Sequence, residues 1–321
     1  MQNQTSKTPT QSAVLETSFS ALGTGNNIQV FQYDDRIAAG EALGRAQERV
    51  LGLHDRLSVF QPESELSLLN ASAGCGPVPV GEDAFYLLSE SKRYSAMSGG
   101  AFSITTRVIS ALWRIHARCG TVPGRAEVEQ AVAMVSDEDI LLDEEARTAE
   151  LARFGQSVDL GSIAKGYAAD EVRRILEEGG VRDALINLGG TVVTLGRQRR
   201  VGIQHPDRFT GIAMGRIAVT NACVVTSGDY ERYYEVDGVR YHHIVDPRTG
   251  YPARSGLRSV TLVGDSALML DALTTILFVL GAEEGLPLVR QYPVEAVLVT
   301  DQLDVFCTDG LRENFELLSK D

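Results

Sequence analysis

Two adjacent histidines, His242 and His243, stand ahead of an Asp-Pro-Arg-Thr-Gly run in "YHHIVDPRTGYP", residues 241–252. The chain has only five histidines. The run after the pair reads as a tight turn. The pair sits at the end of a strand, where neighbours point to opposite faces, so one faces solvent or core and the other a groove. A groove-facing imidazole suits a general base or a phosphate contact. A plain pair of hydrogen-bonded turn histidines fits the same residues.

Other stretches are richer in Gly, Asp, Ser and Thr than folding alone requires: "SVDLGSIAKGYAAD" (157–170), "INLGG" (186–190), "VVTSGDY" (224–230) and "DALTTILFVLG" (271–281). In the first, a strand–Gly–helix join offers free backbone N–H groups and a positive helix end, where an anion can sit. Lys165, one turn in, reaches such an anion; the alternative is a β-to-α turn with a surface lysine. Asp271 and Thr275 are four apart and share one helix face. A carboxylate and a hydroxyl there suit a hard cation such as Mg²⁺, which takes oxygen ligands. The alternative is an aspartate favoured by the helix dipole and a threonine bonded to its own backbone.

These groups need a scaffold. Apolar Leu43, Ala46, Val50, Leu53 and Leu57 share one face of a helix over about 35–57. "QPESELSLLNASAG" (61–74) reads as a loop. A helix over about 82–97 ends at Gly99-Gly100. Another short helix near 126–135 precedes a strand pair around 139–158. A helix follows Gly161, with Ser162 as N-cap, and closes at Gly179-Gly180. "ALINLGGTVVTLG" reads as two strands kinked at Gly189-Gly190, and "YYEVDGVRYHHIV" as a hairpin around Asp237-Gly238. A strand, the Asp271 helix, a further helix near 283–291 and a closing hairpin complete the chain. Strands linked mostly as hairpins and mixed with helices predict an α+β fold of mixed, mostly antiparallel sheets with packed helices, in a single domain over 15–321.

Bulk properties narrow the partners. The net charge of −13 argues against nucleic acid, which selects a basic face. It also means that any phosphate site is made locally, by backbone N–H groups, a few cations or a metal. No apolar run reaches the roughly 18 residues of a membrane span, and the nearest candidate carries Asp271. The four cysteines match no CxxC metal pattern and read as reduced thiols. Residues 1–14 are a polar tail without the basic and apolar regions of a leader. A cytoplasmic location is the simplest expectation; an exported lipoprotein with its leader removed reads the same.

Taken in order, "VDLGSIAKGYAAD", "INLGG", "TSGDY", "HHIVDPRTGYP" and "DALTTILFVLG" resemble the FAD:protein FMN transferase family, also called the thiamine biosynthesis lipoprotein or alternative pyrimidine biosynthesis family. The resemblance runs from about residue 18 to 310 and implies a flavin-transferase-like fold. It implies an enzyme that binds FAD and Mg²⁺, cuts the diphosphate, attaches FMN to a Thr or Ser hydroxyl of a partner flavoprotein, and releases AMP. It places the metal at the Ala164 carbonyl, the Asp271 carboxylate and the Thr275 hydroxyl, with Thr274 adjacent. It places FAD at Leu22, Phe60, Ala101, Phe102, Ser103, Gly161, Tyr167 and Val245, and gives His243 the catalytic role. The chain departs from the family pattern at Ser103, where an aspartate is usual, at Phe60, where a tyrosine is common, and at Leu68, where an arginine is usual. The same site with water as acceptor would be an FAD pyrophosphatase, and an inert site would be a flavin carrier.

Overall fold

The computed structural model describes residues 14–114 and 121–319. All but Val14 of the expected tail, and Cys119, lie outside the described residues; Cys75, Cys223 and Cys307 are free thiols.

The described residues open with a hairpin, β1 (Leu15–Ala21) and β2 (Thr24–Tyr33). The turn is Leu22–Gly23, both with positive φ. Helix α1 (Arg36–Leu57) follows, capped by Asp35, whose carboxylate accepts the Ala38 N–H. Residues 65–71, expected to be loop, form α2 (Glu65–Ala71). Ser64 is its N-cap, accepting the Ser67 N–H at 3.0 Å, and Leu66 and Leu69 bury one face. The segment is too short for a helical period to stand out from its turn-type residues.

Next come β3 (Val78–Pro79), α3 (Glu82–Met97), α4 (Arg107–Trp113), α5 (Arg125–Val132), β4 (Ile140–Asp143) and β5 (Thr148–Leu151). Helix α6 (Ala164–Glu178) leads into β6 (Val181–Leu188) and β7 (Thr191–Leu195). Ser162 is not the cap of α6. Residues 161–163 form a turn instead, closed by the Ile163 and Ala164 N–H groups on the Leu160 carbonyl, and Ile163 takes the cap position.

The rest are β8 (Arg199–Gln204), β9 (Ala213–Val219), β10 (Cys223–Gly228), the hairpin β11 (Tyr233–Val236) and β12 (Val239–His242), β13 (Leu257–Gly264), α7 (Ala267–Val289), β14 (Glu295–Thr300), β15 (Val305–Cys307) and β16 (Phe315–Leu317). The two helices expected over 271–291 run on as α7, broken at Gly281, where φ is 79° and ψ 175°. By length and composition α7 is the one helix among the described residues able to cross a membrane. Here it packs against β10, β13 and α6.

Among the described residues, eight strands form the main sheet in the order β1-β2-β6-β7-β10-β13-β14-β15. Every neighbouring pair in it is antiparallel. Alternation decides which side chain goes where. Cys223 and Val225 of β10, Val260 and Leu262 of β13, and Ala296 and Leu298 of β14 join the large core shared with α1, α6 and α7. Val224 and Val297, one step out of phase, join Val201, Ile203 and Ile217 beneath the small sheet β16-β9-β8 on the opposite face. The expected α+β class, with antiparallel sheets, is the architecture found.

Candidate active site

The first turn of α6 meets the first turns of α7, and Gly166 permits the approach. A Cβ placed on Gly166 would fall 2.3 Å from the Ala267 carbonyl oxygen. Asp170, one turn further along α6, accepts the Ala267 and Leu268 N–H groups at 3.0 Å each and the Ser266 hydroxyl at 3.0 Å. One carboxylate of α6 therefore caps the N-terminus of α7, where orphan donors and the helix dipole favour it.

This joint sets Asp271. The residue is 3% exposed. Oδ2 accepts the Gly166 N–H at 2.9 Å and Oδ1 lies 3.4 Å from Lys165 Nζ. Lys165 also reaches the Gly161 carbonyl at 3.4 Å. Thr275 donates to the Asp271 carbonyl at 3.3 Å, which leaves its oxygen lone pairs free. Thr274 is fully buried; it donates to the same carbonyl at 2.9 Å and accepts the Ser227 hydroxyl at 3.0 Å. The structure thus brings together Asp271, Thr274, Thr275, Lys165 and the α6 turn that carries Ala164.

Among the described residues there is no group of three or more His, Cys, Asp and Glu that could hold a metal. One carboxylate with hydroxyl and carbonyl oxygens is a different kind of donor set. It suits Mg²⁺, which binds through one or two carboxylates and completes its shell with water and substrate phosphate. The oxygens at the α6–α7 joint fit such an ion.

The histidines separate as their alternation requires. His242 ends β12, buried, with Nε2 2.9 Å from the Ala253 carbonyl oxygen and its ring edge-on to Phe278. Burial pushes its imidazole down to about 4. His243 is half-buried, and its backbone N–H donates to the Arg232 carbonyl at 3.0 Å. Its Nδ1 is buried with no hydrogen-bond partner. Burial, followed by the nearby charge of Arg232, pushes its imidazole down to about 3, and Lys165 adds to this. His243 is therefore neutral and unprotonated at neutral pH, in electrostatic range of the lysine that touches Asp271.

The Asp-Pro-Arg-Thr-Gly run holds this strand end in place. Asp246 accepts the Arg248 N–H at 2.9 Å, and its carbonyl accepts the Gly250 N–H at 2.9 Å. Gly250 has φ of 75°, and a Cβ there would fall 2.6 Å from Val128 and Val132 of α5. Trp113 of α4 donates to the Gly250 carbonyl at 2.7 Å and stacks on Tyr241. Val245 packs into this Trp113 cluster.

Other expected ligand residues fall in three places. Phe60 is 66% exposed, with the Arg107 guanidinium 5.5 Å from its ring centre. Arg107 pairs with Asp159 at 3.8 Å. The Asp159 carboxylate accepts the Gly161 N–H, and its backbone N–H bonds the Ile104 carbonyl. Phe60, the Ala101-Phe102-Ser103 segment and Gly161 therefore form one contiguous wall. Ala101, Phe102 and Ser103 are buried in it, Ser103 beside the carboxylate of Asp137. Leu22 sits in the β1–β2 turn, where the place of a Cβ on Gly23 is 3.6 Å from Arg232 Nη2. Tyr167 does not join either the wall or the Asp271 group. Its hydroxyl is held by Asp83 at 2.6 Å and Arg49 at 3.2 Å. Ser227, Arg107, Asp137 and Arg232 were not singled out from the sequence. Ser227 lay within a flagged segment and Arg232 two residues past its end, but neither type announces a contact across strands.

Fold and site together define an α+β protein with a buried carboxylate, two hydroxyls and a lysine gathered at one helix–helix joint. Residues 22–298 match the ApbE family. The chain is 36% identical over 304 residues to the FAD:protein FMN transferase of Klebsiella pneumoniae (strain 342), covering 94% of each. It is 34% identical to that of Treponema pallidum (strain Nichols), covering 95% of this chain and 90% of the relative. The crystal structure of the ApbE protein of Thermotoga maritima superposes with a TM-score of 0.83 at 29% identity, covering 93% of this chain and 98% of that one. Flavin transferase ApbE from Vibrio cholerae superposes with a TM-score of 0.80 at 27% identity, covering 94% of this chain and 99% of that one. The protein belongs to the ApbE family.

Proposed function

We propose that this protein is a transferase that moves FMN from FAD to a Thr or Ser hydroxyl of a flavoprotein acceptor, releasing AMP. The observation that carries the reading is the buried Asp271 carboxylate, held by the Gly166 N–H beside Lys165 and next to the Thr274 and Thr275 hydroxyls. The names of the relatives agree with it.

The acceptor oxygen forms a bond to the FMN phosphorus as the bridging P–O bond breaks and its electron pair leaves with AMP. The attacking hydroxyl loses its proton to His243, whose depressed basicity keeps it unprotonated beforehand. Asp271, Thr275 and the Ala164 carbonyl would hold Mg²⁺, which when bound would supply Lewis acidity against the diphosphate charge. Lys165 adds a cation at the same place, and Thr274 fixes the Asp271 turn. The Phe60–Gly161 wall offers an exposed ring and backbone groups to the nucleotide.

The test is incubation with FAD, Mg²⁺ and a Thr-containing acceptor peptide, read by mass spectrometry and AMP release. A peptide gaining the mass of FMN less water, with AMP in equal amount, is the expected result. AMP at the same rate without peptide, and no adduct, would instead make it a pyrophosphatase; intact FAD after hours would make it a carrier.

A further inference from the structure

The acid-rich surface makes most arginines easy to account for. Arg49 pairs with Asp83 and Glu171, Arg258 with Asp207 and Asp229, and Arg199 with Asp183. Arg232 differs. Among the described residues its guanidinium makes no contact-range ion pair and no hydrogen bond, although its charge acts on the neighbouring Glu231 carboxylate. It is half-buried, so solvation does not fully replace a partner.

Its position is fixed from two sides. Just before β11, its carbonyl accepts the His243 N–H at 3.0 Å, extending the Tyr233–His242 pairing of the hairpin by one step. Its Nη2 lies at the Leu22–Gly23 turn, 3.6 Å from where a Cβ on Gly23 would stand. Glycine leaves that side of the guanidinium uncovered. Its charge and that of Lys165 both act on the His243 imidazole.

We propose that Arg232 is a diphosphate-binding residue, its planar fork taking non-bridging oxygens of the transferred phosphoryl group beside His243. This rests on the transferase reading above. A guanidinium matches two oxygens of a phosphate in one plane, and one with no hydrogen bond to a carboxylate has its donors available. Arg232 then stands with Lys165 on the diphosphate, so that in this acidic protein the anion's charge is met locally. It also tethers the Leu22–Gly23 turn to the reacting group once substrate is bound.

The experiment compares parent, Arg232→Gln and Arg232→Lys proteins in binding of FAD, riboflavin and inorganic pyrophosphate, and in Mg²⁺-dependent AMP release. The Gln variant is expected to bind FAD and pyrophosphate about 10- to 100-fold more weakly while binding riboflavin as the parent does. The Lys variant is expected to fall between, since it keeps the charge and loses the fork. If the Gln variant does not fold, the Lys variant decides alone: unchanged FAD and pyrophosphate affinity overturns the proposal. Equal loss of FAD and riboflavin binding also overturns it, because the residue would then only support the turn. A parent that neither releases AMP nor labels an acceptor rejects the transferase reading, and this assignment with it. An active parent with an indifferent Gln variant rejects this assignment alone.

Discussion

The Asp271 carboxylate accepts the Gly166 backbone N–H at 2.9 Å, tying the interior of α7 to the first turn of α6. That bond fixes one oxygen and leaves the other near Lys165. The carboxylate is thus positioned by backbone before any ion or substrate arrives. In Asp271→Asn the amide oxygen can still accept from Gly166, so the fold should survive. Mg²⁺-dependent AMP release should fall by about 100-fold or more, with the melting temperature within a few degrees of the parent's. Unchanged turnover at limiting Mg²⁺ would remove Asp271 from the metal site.

Gly166→Ala tests the joint itself. Alanine is the better helix former by about 1 kcal/mol. Against that stands a Cβ 2.3 Å from the Ala267 carbonyl oxygen, a backbone atom that no side-chain rotation can move. The clash should win, costing about 1–3 kcal/mol and lowering activity by displacing α6 from α7. Chemical denaturation checks the first part, and a variant as stable as the parent would show that the helices yield freely.

His243→Ala should leave FAD binding nearly unchanged and slow transfer by about 10²- to 10⁴-fold. In the parent, an imidazole held near 3 does not protonate between pH 5.5 and 8. The kcat/KM profile for the free enzyme should therefore show no inflection near the ordinary histidine value of about 6.5. An inflection there that disappears in His243→Ala would mean that the ring is far more basic than its burial implies.

His242 has a stability role with a defined sign. Its folded-state value of about 4 lies below the unfolded value of about 6.5. Its contribution is complete above about 6.5 and is lost as pH falls from there towards 4, because the unfolded chain takes up the proton first. The parent should lose its advantage over His242→Gln across that window, at no more than about 1.4 kcal/mol per pH unit. Urea unfolding at pH 7 and pH 5 gives the comparison. An advantage that grows at pH 5 would reverse the sign.

Restoring aspartate at Ser103 should not restore a better site. Asp137 is buried next to Ser103 and already accepts from Ser95 at 2.8 Å and from the Ile104 N–H at 3.1 Å. A second carboxylate there meets a like charge in a poorly solvated place. Ser103→Asp should lower stability by about 1–3 kcal/mol, and Ser103→Asp with Asp137→Asn should recover much of it. A more stable single variant would show that the wall has room for both charges.

The sequence determined the local parts of this protein. Alternation marked the strands, glycines marked the turns, and an i, i+4 spacing put Asp271 and Thr275 on one face, because each is a short-range rule of backbone geometry. The seven residues of α2 were too few to show such a period, and the cap of α6 went to Ile163 because Leu160 closed a turn over Ser162. Only tertiary structure decided what met what. Chain reversal and sheet order brought Gly166 against Ala267, turned Tyr167 to Asp83, and set Ser103 beside Asp137. They also set Arg232 beside His243. Those pairs lie 11 to 101 residues apart in the chain, where no periodicity reaches and only the packing of helices and sheets fixes distance.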